Sequence, residues 1–503
     1  MRNMADSDSC DKLERLCLSA AEQIRSECDA ILKQNNDSDS KNPQATGIAD
    51  CGEPLTQLLG RQASQFIFLL QSRDSPEPET VSLLLRRLDD ILSESYSHFY
   101  AYLFKELPVC WRQLYTDAVI LKFAALYLFS YAGPAASDGS QDTTLDEMIK
   151  TLDLALILAG AAGEQRGRRW INRALDLLEA SCNPTELPRE DTPPSKRPRL
   201  SPPTQEMQTA PIQQDSPVFS THEPFTPPVT HPIRRTTPLS LSDFQSYMDS
   251  SLHGPSPLII TSLASTWPCL TTHPWSRPSY LLSRTFSGRR LVPIELGRSY
   301  VDTAWSQRLL PFRSFLQTYI TSPSPSPQTA YLAQHQLFTQ LPALRNDILI
   351  PDYCYTAPPP HPTDPSADQP ELDTPQLNAW FGPAGTITPL HTDPYHNLLV
   401  QVVGRKYVRL YSPHDTPRLK PRGREGGVEM GNTSTFDVGI VEGWDEPPAS
   451  RDETSPAADI ELFRDVPYVD CILEAGDTLY IPIGWWHYVK GLSVSFSVSF
   501  WWN

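Results

Sequence analysis

The sequence contains few cysteines, and none of them form a recognisable pair. Nine cysteines are scattered over 503 residues without any CxxC spacing. An odd number without such spacing argues against a disulfide framework and against a structural zinc finger. We therefore expect a protein of a reducing compartment.

A signal peptide and a long apolar run are also missing from the pattern. The amino terminus, MRNMADSDSC, has acidic residues where a signal peptide has its apolar core. The most apolar stretches are interrupted by Lys122 or stop well short of the ~20 residues that a bilayer requires. These observations predict a soluble, intracellular protein of the nucleus, the cytoplasm or both, with no membrane partner.

Basic residues are fewer than acidic ones. The formal net charge is −17, which disfavours direct binding to nucleic acid because few phosphate counterions would be released. The same charge favours a basic protein or peptide as partner.

Proline, in contrast, is abundant, and much of it is concentrated in one segment. Of the 50 prolines, 13 lie between Pro188 and Pro238. Such a composition predicts a disordered linker over residues 184–240. Within it, Lys196, Arg197 and Arg199 form a basic cluster that is either a nuclear-import signal or a solvated group of charges.

The residues before the linker have apolar side chains at helical spacing. Three sets share a face: Val81, Leu84, Leu85, Leu88, Ile91 and Leu92; Leu145, Met148, Ile149, Leu152 and Leu156; and Ile171, Ala174, Leu175 and Leu178. The last set stops at Asn183-Pro184, since the residue before proline resists the helical conformation. We predict a helical bundle over 1–183, used for packing or for docking a partner.

From residue 241 to 503 the pattern becomes β-rich. The clearest strand is 493–500, where four serines alternate with bulky residues: Val494, Phe496, Val498 and Phe500. Alternate side chains point to opposite faces, so Trp501 continues the small face and Trp502 the bulky one. A small inward face suits a narrow barrel that holds something other than side chains. The sequence therefore predicts an α+β protein, with surface loops at 322–327, 356–370 and 412–466.

Two stretches of this second region have the residues of a metal site. In TPLHTDPYHN, residues 388–397, His391 and Asp393 are two apart, so on a strand both side chains reach one point while Thr392 points away. His487, in IPIGWWHYV at 481–489, can return as a third ligand. Two histidines and one carboxylate leave three positions of Fe(II) open for a bidentate co-substrate and O₂. The pattern predicts a non-haem iron oxygenase.

Lys406 lies on the run that follows His391 and could pair with the far carboxylate of a dicarboxylate co-substrate. Taken alone, it would be interpreted as a strand lysine that extends its charge to solvent. His487 taken alone would be a hydrogen-bonded core histidine. The presence of all three ligand types together with Lys406 favours the metal site.

Four stretches carry a resemblance to a known family: VPIELG (292–297), YLAQHQLF (331–338), NAWFGPAGTITPLHTDPYHNLLVQVVGRKYVRLYSP (378–413) and GDTLYIPIGWWHYVKGLSVSFSVSFWW (476–502). Roughly half of the chain, from about residue 240, resembles the JmjC family of Fe(II)- and 2-oxoglutarate-dependent oxygenases. The resemblance is strongest to its arginyl-hydroxylase and lysine-demethylase type. It implies a double-stranded β-helix barrel of the cupin-like class with flanking helices.

The resemblance also implies a role for individual residues. It assigns iron to His391, Asp393 and His487, and 2-oxoglutarate to Tyr331, Thr388, Asn397 and Lys406, with Trp501 lining that pocket. It assigns the substrate arginine to Glu295, Trp305 and Trp380. A carboxylate for the guanidinium and aromatic faces for stacking suit that role, although both tryptophans could be ordinary core residues. Thr392 stands where the nearest relatives are expected to have glutamine.

The expected function is hydroxylation of an arginine or other basic side chain in a protein, with Fe(II), 2-oxoglutarate and O₂. The same oxidation of an N-methyl group would make the protein a histone lysine demethylase, and a non-catalytic module that binds basic tails is a third possibility. The segment after Tyr411 has basic residues followed by 12 acidic residues over 437–477. These acids are either a solvated loop or a rim that attracts a basic peptide.

Overall fold

The computed structural model describes residues 7–36, 47–72, 76–102, 106–131, 138–182, 217–250, 253–322, 328–425, 427–447 and 457–503. The chain divides into two compact units, the first formed by residues up to Pro211 together with Arg289–Leu291 and the second by the remaining residues from Ile212 onward. The proline-rich segment up to residue 216, with the basic cluster at Lys196, lies outside the described residues.

The first unit is helical. Its α-helices are α1 (Ser7–Asn36), α2 (Glu53–Gln71), α3 (Pro78–Phe99), α4 (Val109–Ala125), α5 (Asp138–Leu158) and α6 (Arg168–Cys182), with a 3₁₀ turn at Ile48–Cys51 and a π-helical turn at Leu126–Tyr131. The predicted apolar faces of α3, α5 and α6 are buried, apart from Leu85 and Leu92, which are half-buried. Helix α6 is described as far as Cys182, and the predicted stop at Asn183-Pro184 lies outside the described residues.

One helical stretch differs from expectation. Within the described part of the chain, Val109–Tyr131 is long and apolar enough to cross a membrane by length and composition. However, 72% of its most apolar window is buried inside the protein, as in the core helix of a soluble protein. Lys122 does not interrupt the helix, because its Nζ lies 2.9 Å from Asp89 Oδ1 and 3.2 Å from Glu147 Oε1. The helix is therefore only weak evidence for a membrane span.

The second unit is built on two main sheets. Its strands are β1 (Arg235–Thr236), β2 (Leu258–Ile260), β3 (Leu291–Leu296), β4 (Ser306–Pro311), β5 (Ala330–His335), β6 (Gln376–Gly382), β7 (Ile387–His391), β8 (His396–Val403), β9 (Lys406–Tyr411), β10 (Arg424–Glu425), β11 (Val428–Glu429), β12 (Tyr468–Leu473), β13 (Thr478–Ile481), β14 (Trp486–Gly491) and β15 (Ser495–Trp502). The large sheet has the order β1-β2-β13-β8-β15-β6-β5-β3-β4, and the small sheet has the order β12-β9-β14-β7.

Short helices flank these sheets: α7 (Leu241–Asp249), α8 (Pro278–Ser283), α9 (Phe312–Phe315), α10 (Leu337–Gln340), α11 (Pro342–Arg345), α12 (Val438–Val441) and α13 (Ala457–Arg464). Further 3₁₀ or π turns occur at Pro268–Leu270, Leu316–Ile320, Asp352–Tyr355, Pro365–Ala367 and Pro413–Leu419. The predicted α+β class, with a helical region followed by a β-rich domain, is confirmed.

Strand β15 has the two faces that its alternation predicts. Phe496, Val498, Phe500 and Trp502 belong to the largest hydrophobic core of this unit. The serines on the opposite face are buried, and two of them bind polar side chains: Ser499 Oγ accepts a hydrogen bond from Trp380 Nε1 (3.0 Å), and Ser497 Oγ donates to Gln401 Oε1 (2.7 Å). The small face therefore looks into the space between the two sheets.

Two segments, residues 217–240 and residues 412–466, differ from their predicted structure. Residues 217–240, which we assigned to the linker, pack on the second unit: Phe219 is buried, the Ile233 amide donates to Asp470 O (3.1 Å), and β1 pairs with β2. These contacts give the segment the apolar burial that its proline content alone does not reveal.

The segment 412–466 is not simply a surface loop either. It contributes several side chains to a second hydrophobic core: Leu419, Phe436, Val438, Val441, Phe463 and Val466. Because these apolar residues are spaced irregularly among charges, sequence periodicity does not detect their burial.

Candidate active site

The three predicted metal ligands come together at one edge of the small sheet. His391 ends β7 and pairs in register with His487 on the antiparallel strand β14, which brings the ring centroids to 4.1 Å. Asp393 follows β7, with Oδ1 at 3.7 Å from His391 Nε2 and Oδ2 at 3.6 Å from His487 Nε2. One ligand atom from each residue lies within 4.8 Å of the others. These three donors can hold one metal ion.

Backbone carbonyls orient both imidazoles. His391 Nδ1 lies 2.8 Å from Pro389 O, and His487 Nδ1 lies 3.0 Å from Trp485 O. A carbonyl only accepts, so each Nδ1 carries the proton and each Nε2 keeps a free lone pair toward Asp393. A histidine metal ligand is commonly fixed in this way by its other ring nitrogen.

Burial tunes the protonation of these groups. It lowers the pKa of His487 well below its usual range, and the charge of His391 acts in the same direction. Burial also raises the pKa of Asp393, whereas His391 lowers it. A neutral imidazole is the form that binds a metal, and a bound cation would favour the carboxylate. The donor set therefore fits Fe(II).

A narrow inner pocket extends from these ligands between the two sheets. Lys406, 1% exposed, reaches into it, and its Nζ lies 3.2 Å from Tyr331 Oη and 3.5 Å from Trp380 O. Burial lowers the pKa of Lys406 to about 7. Thr388 and Asn397 also line this pocket. The ammonium of Lys406 and the hydroxyls of Tyr331 and Thr388 are hydrogen-bond donors that a dicarboxylate could accept from in this pocket.

Trp501 lies beside Asn397 and the outer cavity. It pairs with Asn397 across β15 and β8, stacks on Tyr395 with centroids 5.6 Å apart, and lines the outer cavity that opens from the metal ligands. Its Nε1 is buried without a partner. Its role as part of the inner pocket remains a prediction.

The outer cavity, about 680 Å³, contains the three predicted substrate residues. Glu295 Oε2 accepts a hydrogen bond from Trp305 Nε1 at 3.3 Å, and burial raises the pKa of this carboxyl. Trp380 lines both the inner pocket and the outer cavity. The described residues that line the outer cavity include the carboxylates of Glu295, Asp393 and Glu425 but no lysine or arginine. The cavity is suited to a cation.

Sequence reasoning missed several residues of this cavity. Tyr300 and Gln307 line it, and so do residues of the segment after Tyr411: Glu425, Val428, Met430, Asn432 and Thr433. Tyr300 Oη lies 3.2 Å from Thr433 Oγ1. The position of that segment beside the metal strand was not predictable from its composition.

Comparison with known proteins supports the same family. Residues 245–503 match the cupin-like domain family. The chain is 33% identical over 393 residues to "Lysine-specific demethylase 8" of Danio rerio, over 78% of this chain and 81% of the relative. It is 41% identical over 271 residues to "Lysine-specific demethylase JMJ30" of Arabidopsis thaliana, over 54% of each chain. It is 37% identical over 287 residues to "Jumonji C domain-containing protein 5" of Drosophila melanogaster, over 55% of this chain and 63% of the relative.

The family match covers the barrel, and the alignment with the Danio rerio protein spans most of both chains. Together with a buried group of two histidines and one aspartate, these similarities identify the reaction class and its cofactors. This chain belongs to the JmjC, cupin-like family of dioxygenases, which use Fe(II) and 2-oxoglutarate.

Proposed function

We propose that this enzyme hydroxylates an arginine side chain of a basic protein substrate. The observation that carries the proposal is Glu295, a half-buried carboxylate beside Trp305 in a cavity that opens onto His391 and Asp393. A guanidinium can pair with that carboxylate and stack on an indole face.

His391, Asp393 and His487 are our proposed iron ligands. When bound, Fe(II) and 2-oxoglutarate supply the oxidising chemistry, in which O₂ puts one oxygen into succinate, with release of CO₂, and the other into a substrate C–H bond. Lys406 and Tyr331 would bind the far carboxylate of the co-substrate, while Thr388 and Asn397 line the rest of its pocket.

The chain's other task is to orient the substrate. Trp380 lines both the inner pocket and the outer cavity, and its indole is fixed by the hydrogen bond to Ser499. A rigid wall between co-substrate and substrate would aim the target carbon and exclude water, which is how a preorganised site gains rate and specificity.

Demethylation of a histone N-methyl-lysine is the second candidate. The names of the Danio rerio and Arabidopsis thaliana relatives favour it. The same insertion of oxygen into an N-methyl C–H bond gives a carbinolamine that releases formaldehyde. We favour arginine because a carboxylate with an indole beside it can accept hydrogen bonds from a planar guanidinium and stack on it, whereas a methylated ammonium offers fewer donors.

Mass spectrometry of basic peptides after turnover distinguishes the two. Arginine peptides and methyl-lysine peptides of the same sequence would be incubated with enzyme, Fe(II), 2-oxoglutarate and O₂. A gain of one oxygen on arginine supports our proposal, and Glu295→Gln should reduce it. Loss of methyl groups from lysine with no change of arginine would refute it.

We also propose a nuclear or cytoplasmic location and a docking role for the helical unit. The basic cluster supports nuclear import, and replacement of Lys196, Arg197 and Arg199 by alanine in a fluorescent fusion tests it. Unchanged nuclear accumulation of that variant would rule out the cluster as the signal.

A further inference from the structure

A small β-hairpin stands at the outer cavity. Strands β10 and β11 are antiparallel, with Glu425 opposite Val428 and Arg424 opposite Glu429. Directly opposite residues share a face of a two-stranded ribbon, and adjacent residues alternate. Glu425 and Val428 line the cavity, so the pair Arg424 and Glu429 belongs to the other face. Gly427 has φ 86° in the turn, where glycine is favoured.

The base of this hairpin is attached to the strand that carries the metal ligands. The Thr392 amide donates to Asn432 O (2.9 Å), and the Ser434 amide donates to Leu390 O (2.8 Å). His391 and Thr433 thus face each other in an antiparallel bridge. The Met430 amide donates to Gly423 O (3.2 Å), which closes the hairpin at its own base. The base of the hairpin is therefore paired alongside the end of β7, which fixes its position relative to His391 and Asp393.

Glu425 provides the negative charge on the face of the hairpin that lines the outer cavity. Its side chain is 52% exposed and pairs with Arg422, whose Nη1 lies 3.1 Å from both carboxylate oxygens. Arg422 is largely buried, but the Glu425 carboxylate is about half-exposed, so it remains accessible to a second cation. Val428, 60% exposed, and Met430 supply an apolar surface beside this carboxylate.

The acidic stretch that follows, residues 437–477, has fewer unpaired carboxylates for a partner than its composition suggests. Several of its carboxylates have basic partners within the second unit: Asp437 and Asp445 with Arg298, Glu442 with Arg409, Asp459 with Lys420, and Asp477 with Arg235. The idea that residues 437–477 form an attracting rim is therefore not supported at these positions, and Glu425 is better placed to meet a substrate.

We propose that the cavity face of this hairpin selects the substrate sequence. In this proposal, which rests on the arginine hydroxylation proposed above, Glu425 pairs with a second cationic side chain next to the target arginine. Val428 and Met430 cover the aliphatic part of that side chain. The enzyme then prefers arginines in basic sequences, and the preference depends on which side of the target the second cation lies.

A peptide series tests this selection. Blocked alanine-based peptides with one central arginine would carry a single lysine at each of the four positions on either side, with glutamine as the neutral reference. Binding would be followed by fluorescence anisotropy, and oxidation by mass spectrometry. Glu425→Gln is the test variant, and Glu429→Gln is its matched control, with the same change on the opposite face.

We expect wild-type enzyme to bind the peptide with lysine at one or two positions about 3- to 10-fold more tightly than its glutamine reference. This ratio should fall to about 1 in Glu425→Gln and persist in Glu429→Gln. It should also decrease with added salt, because the contact is exposed. Glu425→Lys should instead favour glutamate at the same positions.

A lysine preference that survives Glu425→Gln, or equal binding of all lysine and glutamine peptides by the wild type, would overturn the role of the hairpin. Arginine oxidation in those same peptides would leave the proposed reaction intact. Conversely, a Glu425-dependent preference in binding without any oxidised arginine would overturn the reaction and retain the hairpin's role.

Discussion

The two ends of the candidate site differ in charge and in access to water. At the inner end Lys406 is 1% exposed and contacts the Tyr331 hydroxyl and the Trp380 carbonyl. At the outer end Glu295 and Glu425 line a cavity of about 680 Å³, and the described residues around that cavity include no lysine or arginine. A buried cation thus lies on one side of the metal ligands and carboxylates lie on the other.

The opposite charges of the two ends favour different reactants. A dianionic co-substrate is favoured at the lysine end, and a cationic substrate is favoured at the carboxylate end. Each is disfavoured in the other's place, because a buried like-charge contact costs more than a surface one. His391 and Asp393 line both the inner pocket and the outer cavity, so both reactants depend on them.

Loss of a metal ligand should have the largest effect, because it removes what the two ends share. We expect His391→Ala to reduce succinate formation by more than ~100-fold, since even indirect disturbance of a metal ligand costs ~10- to 100-fold. Bound iron and turnover would be measured together. His414→Ala, a change of an exposed histidine, is the control. Full activity of the His391 variant would show that the metal lies elsewhere.

Removal of the inner cation should affect the co-substrate alone. We expect Lys406→Ala to raise the 2-oxoglutarate concentration required for half-maximal turnover by ~30-fold or more, as a truncated buried charge pair costs ~2 kcal/mol or more. The KM for the protein substrate should change little. Titration of the charge-transfer band with Fe(II) in the absence of O₂ measures the loss directly. An unchanged requirement would refute the assigned role of Lys406.

The opposite pattern is expected at the outer end. Glu295→Gln keeps the acceptor for Trp305 but removes the charge, and we expect the KM for an arginine peptide to rise ~10-fold. The affinity for 2-oxoglutarate should stay within experimental error of the wild type. If both affinities fell together, the two ends would not be independent and the charge comparison would fail.

The pH dependence of 2-oxoglutarate binding sharpens the comparison further. Burial lowers the pKa of Lys406 to about 7, and a bound carboxylate would raise it by favouring the ammonium form. Affinity should therefore be greatest below pH 7 and fall as the pH rises through this value, by at most ~10-fold per unit. Anaerobic titrations between pH 6.5 and 8.5 measure it. Lys406→Ala should lose this pH dependence, and a flat wild-type profile would contradict it.

Much of this site could be predicted from the sequence because its residues obey local rules. The two-residue spacing of His391 and Asp393 and the alternation of β15 depend on strand geometry alone. The motif around His487 was informative because its neighbours belong to a strand. The geometry agrees with the predicted metal group, although the functional role of each residue stays a proposal.

The features that were not predicted from the sequence depend on contacts between segments that are distant along the chain. Phe219 lies in a proline-rich stretch and is buried, with its ring centroid 5.5 Å from that of Phe381. Asn432 and Ser434 are attached to the metal strand through backbone hydrogen bonds, which any residue can make. Neither contact leaves a periodic or compositional pattern, so the linker boundary and the hairpin position were missed.

The smallest expected effect concerns the wall between the two ends. Ser499 Oγ accepts the hydrogen bond of Trp380 Nε1, whereas Ser495 Oγ, on the same face of β15, is buried without a partner. Ser499→Ala would leave the indole N–H of a buried tryptophan unpaired, at a cost of ~1–3 kcal/mol.

Ser495→Ala removes only a hydroxyl that makes no bond, so its effect on stability should be near zero. Each variant lacks one serine hydroxyl of strand β15, so the two substitutions form a matched pair. We expect the thermal midpoint of the second unit to fall for Ser499→Ala alone, with a few-fold rise in the KM for the arginine peptide as Trp380 loses its fixed orientation. Equal midpoints for the two variants would mean that this hydrogen bond does not hold Trp380 in place, and the separation of the two ends would then have to come from packing.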